Sequence, residues 1–182
     1  VGTIKKIKRI AKIIIGYKKK NYKVIVVSSA MSGVTNELIK KSYEISDSFS
    51  DSEHDVLVSS GEQVACSLIA GRLIHEGHES RSWLSWQVPI ITVGGYKSSR
   101  INLINKSKIV KYLKEGGIPI ITGFQGINNE NRITTIGRGG SDATAIMLAK
   151  FLKAERCIIY TDVEGVYTTD PNTVSYTHLR AH

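Results

Sequence analysis

The sequence predicts an α/β fold with a mostly parallel sheet. Short runs that are apolar on both faces, Val24 to Val27 and Ile118 to Ile121, read as buried strands rather than half-exposed ones. Segments with helical spacing alternate with them, the pattern that places helices over a parallel sheet. No internal repeat and no Pro/Gly/Ser linker divides the chain. With 182 residues, 41% hydrophobic and 23% charged, the composition is globular and excludes a disordered or low-complexity chain. The length suits one domain, or most of one.

In order, residues 3–20 predict a helix, with Ile4, Ile7, Ala11 and Ile14 on one face. Lys23 to Ser28 predicts a buried strand, and Val34 to Ser46 a helix after a turn of small residues. Val56 to Glu76 is mostly helical, with an interruption expected at Ser59-Ser60-Gly61. Ser80 to Trp86 and Pro89 to Val93 suit strands. Asn105 to Glu115 predicts a helix ended by Gly116-Gly117, and Ile118 to Thr122 a buried strand. A polar, glycine-rich stretch runs from there to Gly140. Ser141 to Lys153 predicts a helix and Arg156 to Thr161 a strand.

The net charge is +9. Much of it lies in Lys5, Lys6, Lys8, Arg9 and Lys12, and then in Lys18, Lys19, Lys20 and Lys23. Only Tyr17 and Tyr22 lie among them, fewer aromatic residues than base stacking would want, so a solvated helix face is favoured over a nucleic-acid stripe. A membrane span needs roughly 20 apolar residues, and the aliphatic runs are far shorter. The opening residues do not read as a basic-then-apolar secretory leader, so none is expected. Two cysteines, Cys66 and Cys157, exclude a disulfide scaffold and read as small core residues in a reducing, cytoplasmic setting. His75 and His78 lack companion ligands and read as surface, so no metal site is assigned.

In parallel α/β sheets, ligands sit beyond the carboxyl ends of the strands, so three loops carry the chemistry. After Val27 come Ser28-Ser29-Ala30-Met31-Ser32-Gly33-Val34-Thr35. Small residues and free N–H groups there can hold an anion at the next helix, although a plain capped turn has the same look. Gly137-Arg138-Gly139-Gly140-Ser141-Asp142 opens a helix, with Arg138 and Asp142 expected on its buried side. Arg138 can clamp a carboxylate or phosphate bidentately. The string is neither a Walker loop nor a dinucleotide fingerprint. The third loop, Tyr160-Thr161-Asp162 through Asp170-Pro171, packs carboxylates and hydroxyls at a strand end, which suits a nucleotide or a metal-bound phosphate. Ser60-Gly61-Glu62 places a carboxylate at the expected start of a helix, where complementing the macrodipole would be reason enough.

Taken together, these motifs resemble the aspartate kinases of the amino-acid kinase family, from Val1 to about Val174. The resemblance rests on Ser29-Ala30-Met31 with Thr35, Ser60-Gly61-Glu62, Gly123-Phe124-Gln125-Gly126, Gly137 to Asp142, and Thr161-Asp162 through Asp170-Pro171. It implies a three-layer α/β/α sandwich around a mainly parallel sheet. It also implies ATP-dependent phosphorylation of the L-aspartate side-chain carboxylate to 4-phospho-L-aspartate, with Mg²⁺, at the head of lysine, threonine, methionine and diaminopimelate synthesis. By resemblance, Thr35, Glu62, Arg138, Gly139, Gly140 and Ser141 bind aspartate. Thr161, Asp162 and Tyr167 line the ATP site, and Asp142 matches the catalytic acid. The full-length protein is expected to be a homo-oligomer, with neither nucleic acid nor membrane as partner.

The family opens with a strand and Lys-Phe-Gly-Gly-Thr-Ser-Val, and Val1 matches the last of these residues. The phosphate-contacting lysine is therefore expected to be missing, and residues 1–182 alone are expected to lack kinase activity. Asp170-Pro171 is followed by Asn172 where the family has arginine. Residues 175–182 resemble no family continuation and are expected to be a non-native tail, leaving 1–174 as a partial catalytic domain truncated at both ends. The alternatives are another kinase of the family, acting on glutamate, acetylglutamate or uridylate, and a basic non-catalytic binding module.

Overall fold

Burial of the apolar runs and of one stripe per helix sets the architecture. The computed structural model describes residues 2–160. Its elements are helix α1 (Ile4–Lys19), strand β1 (Val26–Ser28), α2 (Val34–Ile45), α3 (Asp51–His75), β2 (Ser80–Trp83), β3 (Ile90–Val93) and β4 (Arg100–Ile104). There follow α4 (Ser107–Lys114), β5 (Ile118–Thr122), β6 (Gln125–Ile127), β7 (Ile133–Thr135) and α5 (Gly140–Leu152).

The strand β5 is buried at all five residues and is the middle of a parallel sheet ordered β1-β5-β2. Ile120 pairs with Val26 on one side and with Ser82 on the other. Its side chains alternate between two cores, as the pleat requires. Ile118 and Ile120 pack with Ile7, Ala11 and Ile14 of α1 and with Cys66, Ile69 and Leu73 of α3. Ile121 packs on the opposite face with Ile109 of α4 and Leu148 of α5. This gives helix, sheet and helix layers around the parallel sheet. A second sheet, ordered β4-β3-β6-β7, is mixed: β3 pairs antiparallel with β4 and parallel with β6, and β6 pairs antiparallel with β7.

Four expectations are corrected. The α3 helix runs unbroken through Ser59-Ser60-Gly61. The Ser59 and Ser60 hydroxyls donate to the carbonyls of Val56 and Leu57, absorbing the polar groups that would compete with the helix. The stretch before Gly140 holds the β6–β7 hairpin, and β4 follows the loop after β3. Of the strand expected over Arg156 to Thr161, the described part, Arg156 to Tyr160, forms no strand: no described strand pairs with it, its residues are exposed, and the Tyr160 hydroxyl lies 3.3 Å from that of Tyr17 on α1. Cys66 is buried but Cys157 is exposed, and both are free. In α1 the apolar stripe buries Ile7, Ala11 and Ile14, while Ile4, Lys5, Lys6, Lys8, Lys12 and Lys19 are exposed and the half-buried Lys18 donates to Gly116 O at 3.0 Å. No helix among the described residues is long and apolar enough to cross a membrane.

Candidate functional site

The α3 helix carries two buried carboxylates, Asp55 and Glu62. Glu62 sits in its middle, not at a helix start, and is only 3% exposed. The macrodipole at an N-terminus therefore does not explain it. Its Oε1 accepts a hydrogen bond of 2.9 Å from the Ala30 N–H, in the loop after β1. Its Oε2 is buried with no partner among the described residues. Burial pushes the Glu62 carboxyl up to about 7, and the Ala30 N–H opposes that rise only in part. Four residues on, burial and the neighbouring Glu62 charge push the Cys66 thiol up as well, so Cys66 is an inert packing residue.

Gly61 lets α3 approach that loop. A Cβ there would lie 2.8 Å from the Ala30 Cβ and 3.2 Å from Val34 Cγ1. The loop is tied to its neighbour by the Gly123 N–H, which donates to Ser28 O at 3.0 Å. Both loops thus leave the carboxyl ends of the parallel strands β1 and β5 together.

The glycine-rich segment closes the other side. Gly139 caps α5 with φ 74°, a left-handed value that favours glycine. Just before this turn, the Ile136 N–H donates to Phe124 O at 2.8 Å. One turn into α5, the Thr144 hydroxyl accepts from the Phe124 N–H at 3.2 Å and donates to Gly140 O at 2.8 Å. The backbone is therefore fixed while the side chains are free. Arg138 and Asp142 are exposed, not on a buried side, and neither has an ion-pair partner among the described residues.

These parts enclose a cleft of about 440 Å³. Thr35, Glu62, Arg138, Gly139, Gly140, Ser141 and Asp142, all singled out from the sequence, line this one cleft. Ser29 and Phe124, from the loops after β1 and β5, join them. Thr161, Asp162 and Tyr167 lie outside the described residues. Sequence reasoning missed His54, Lys97 and Thr135, which also line the cleft. No cluster of three or more His, Cys, Asp or Glu side chains suited to a metal occurs among the described residues.

A half-bonded buried carboxylate and a free guanidinium lining one cleft can hold an ammonium and a carboxylate of the same small molecule. Comparison with known proteins bears on which molecule. The chain is 48% identical over 177 residues to the aspartokinase of Rickettsia conorii, covering 96% of this chain and 44% of that protein. It therefore spans less than half the length of the curated relatives it matches. In three dimensions it resembles E. coli aspartokinase III, solved in complex with aspartate and ADP, with a TM-score of 0.77 and 27% identity over 94% of this chain and 49% of that one. Aspartate kinase from Synechocystis superposes with a TM-score of 0.76 and 36% identity over 98% of this chain and 29% of that one. The sequence model of the amino acid kinase family matches residues 1–180. With the layered fold and the loops at the sheet's carboxyl edge, that match shows that this chain belongs to the amino acid kinase family.

Proposed function

We propose that the cleft binds L-aspartate and that the full-length protein is an aspartate kinase. It would transfer the γ-phosphoryl group of ATP to the side-chain carboxylate, giving 4-phospho-L-aspartate and ADP. The observation that carries this reading is the Oε2 of buried Glu62, which has no partner among the described residues, in a cleft shared with Arg138, likewise unpaired among them. A buried carboxylate oxygen without a donor costs about 1–3 kcal/mol, and a ligand ammonium would recover it. Arg138 then takes the α-carboxylate, by a bidentate pairing that lysine cannot reproduce.

The chemistry asks little proton transfer of the protein. The substrate's side-chain carboxyl has an ordinary pKa of about 3.9 and is already ionised at neutral pH, so no general base is needed. A carboxylate oxygen attacks the γ-phosphorus, and the bond from that phosphorus to the β-phosphate bridging oxygen breaks. The obstacle is bringing two anions together, which positive charge and backbone N–H donors must offset. The exposed carboxylate of Asp142, beside Ser141 at the start of α5, orients a cation rather than removing a proton. One exposed carboxylate is enough protein donor for Mg²⁺, which is commonly held by one or two carboxylates together with substrate phosphates. When bound, the ion supplies charge neutralisation at those phosphates. Thr161, Asp162 and Tyr167 are assigned to the nucleotide by their place in the motif.

The reading places the protein at the entry to synthesis of lysine, threonine, methionine and diaminopimelate. A reducing cytoplasm suits its two free cysteines. Homo-oligomerisation of the full-length protein is part of the same reading. The test is a substrate panel on the full-length protein, with acyl phosphate trapped by hydroxylamine. Turnover of aspartate above glutamate, acetylglutamate and uridylate is expected, and phosphorylation of glutamate but not aspartate would overturn the assignment.

A further inference from the structure

Asp55 is a second buried carboxylate on α3, seven residues before Glu62 and hence on the same helix face, about 10 Å along the axis. It is 0% exposed, and its two oxygens converge on one structural junction. Oδ2 accepts from the Thr135 N–H at 2.7 Å and from the Lys97 N–H at 2.9 Å. Oδ1 accepts from the Thr135 hydroxyl at 2.8 Å and more weakly from the Lys97 N–H at 3.2 Å. Among the described residues no lysine or arginine pairs with it: His54 Nδ1 lies 3.5 Å from Oδ1, and the Lys97 ammonium is paired with Asp51 at 2.6 Å. Lys97 itself holds φ 65°, a left-handed value unusual for a residue with a side chain. The turn that carries it is closed by Ser99, whose hydroxyl donates to Gly95 O at 2.8 Å and whose N–H donates to Thr135 O at 3.0 Å.

We infer that Asp55 is a positioning residue: it bolts the Lys97 turn and β7 to α3, and so fixes one wall of the cleft relative to Glu62. Among the described residues this buried carboxylate meets two backbone N–H groups, a hydroxyl and the His54 ring, without the lysine or arginine partner that would offset its desolvation. Its partners, Lys97 and Thr135, both line the cleft. The arrangement therefore serves geometry: it holds an otherwise unfavourable backbone turn at a set distance along α3 from the orphaned Oε2. This inference rests on the assignment of the cleft to L-aspartate.

The test is steady-state kinetics of the full-length protein with Asp55→Asn. The amide turns an NH₂ group toward N–H donors, so the junction opens without loss of volume. The aspartate KM is expected to rise on the order of 10-fold or more, as small misplacements at a binding site do, with the ATP KM little changed. Ser99→Ala loosens the same turn from outside the cleft and should shift aspartate KM in the same direction by less. Ile69→Ala, on the core-facing side of α3 itself, is the stability control: it lowers the melting temperature without changing aspartate KM. If Asp55→Asn fails to fold, Ser99→Ala alone decides. Destabilised variants with unchanged aspartate KM, or equal rises for both substrates, overturn the inference. Wild-type protein that does not use aspartate overturns the substrate assignment instead.

Discussion

On α3, which supplies one wall of the cleft through Glu62, Asp55 and Glu62 are 0% and 3% exposed and are bonded by backbone N–H groups from other elements. On the glycine-rich wall, Arg138 and Asp142 are exposed and unpaired among the described residues, on a backbone that is itself well bonded. The first wall is set before any ligand arrives and keeps one unsatisfied acceptor in reserve. The second offers charges that are cheap to keep in water. A change in the buried wall should therefore alter stability and affinity together, whereas a change in the exposed wall should alter ligand handling alone.

The largest effect is expected from Glu62→Gln. Aspartate affinity should fall about 10- to 100-fold, the worth of a charge-assisted hydrogen bond, as read by titration calorimetry. Stability should move the other way. The folded carboxyl is raised to about 7 from an ordinary 4.5, so its contribution to stability is present below pH 4.5 and is lost as pH rises through 7. Urea midpoints should show the variant more stable than wild type above pH 7, by up to about 3 kcal/mol, with the difference closing toward pH 4.5. Gly61→Ala should cost about 1–3 kcal/mol, because its Cβ would meet that of Ala30 at 2.8 Å and force α3 from the loop. Urea unfolding checks this too.

Arg138→Lys tests the exposed wall. Aspartate affinity should drop about tenfold while the unfolding free energy stays within about 0.5 kcal/mol of wild type. Smallest on these scales is Asp142→Asn, with stability again within about 0.5 kcal/mol and aspartate affinity unchanged, but with single-turnover phosphoryl transfer slowed. A large loss of stability in either exposed-wall variant would erase the contrast between the walls.

The sequence made the two walls unequally visible. The glycine-rich wall is local: Gly137 to Asp142 lies on contiguous residues, and turn chemistry reveals it. The parallel strands and most helices were legible for the same reason, since period and burial are local patterns. The α3 wall was misjudged at Ser59-Ser60-Gly61, where helix propensity disfavours what packing requires. There the serine hydroxyls turn back onto their own helix and Gly61 exists for contact with Ala30. The β6–β7 hairpin was missed because its strands are three residues each, with no apolar alternation to read. His54, Lys97 and Thr135 join the cleft only when that hairpin and the β3–β4 turn fold onto α3, a juxtaposition no single stretch encodes. Asp55 alone left a trace, as a carboxylate one helical heptad before Glu62 beside the apolar run Val56-Leu57-Val58.

The most direct test of the ammonium-binding role of Glu62 compares L-aspartate with succinate, which lacks only the amino group, as ligands of the full-length protein and of its Glu62→Gln variant. Wild type should prefer aspartate strongly, and the variant should lose most of that preference while binding succinate at least as well as wild type does. Equal preference for aspartate in both proteins would contradict the account.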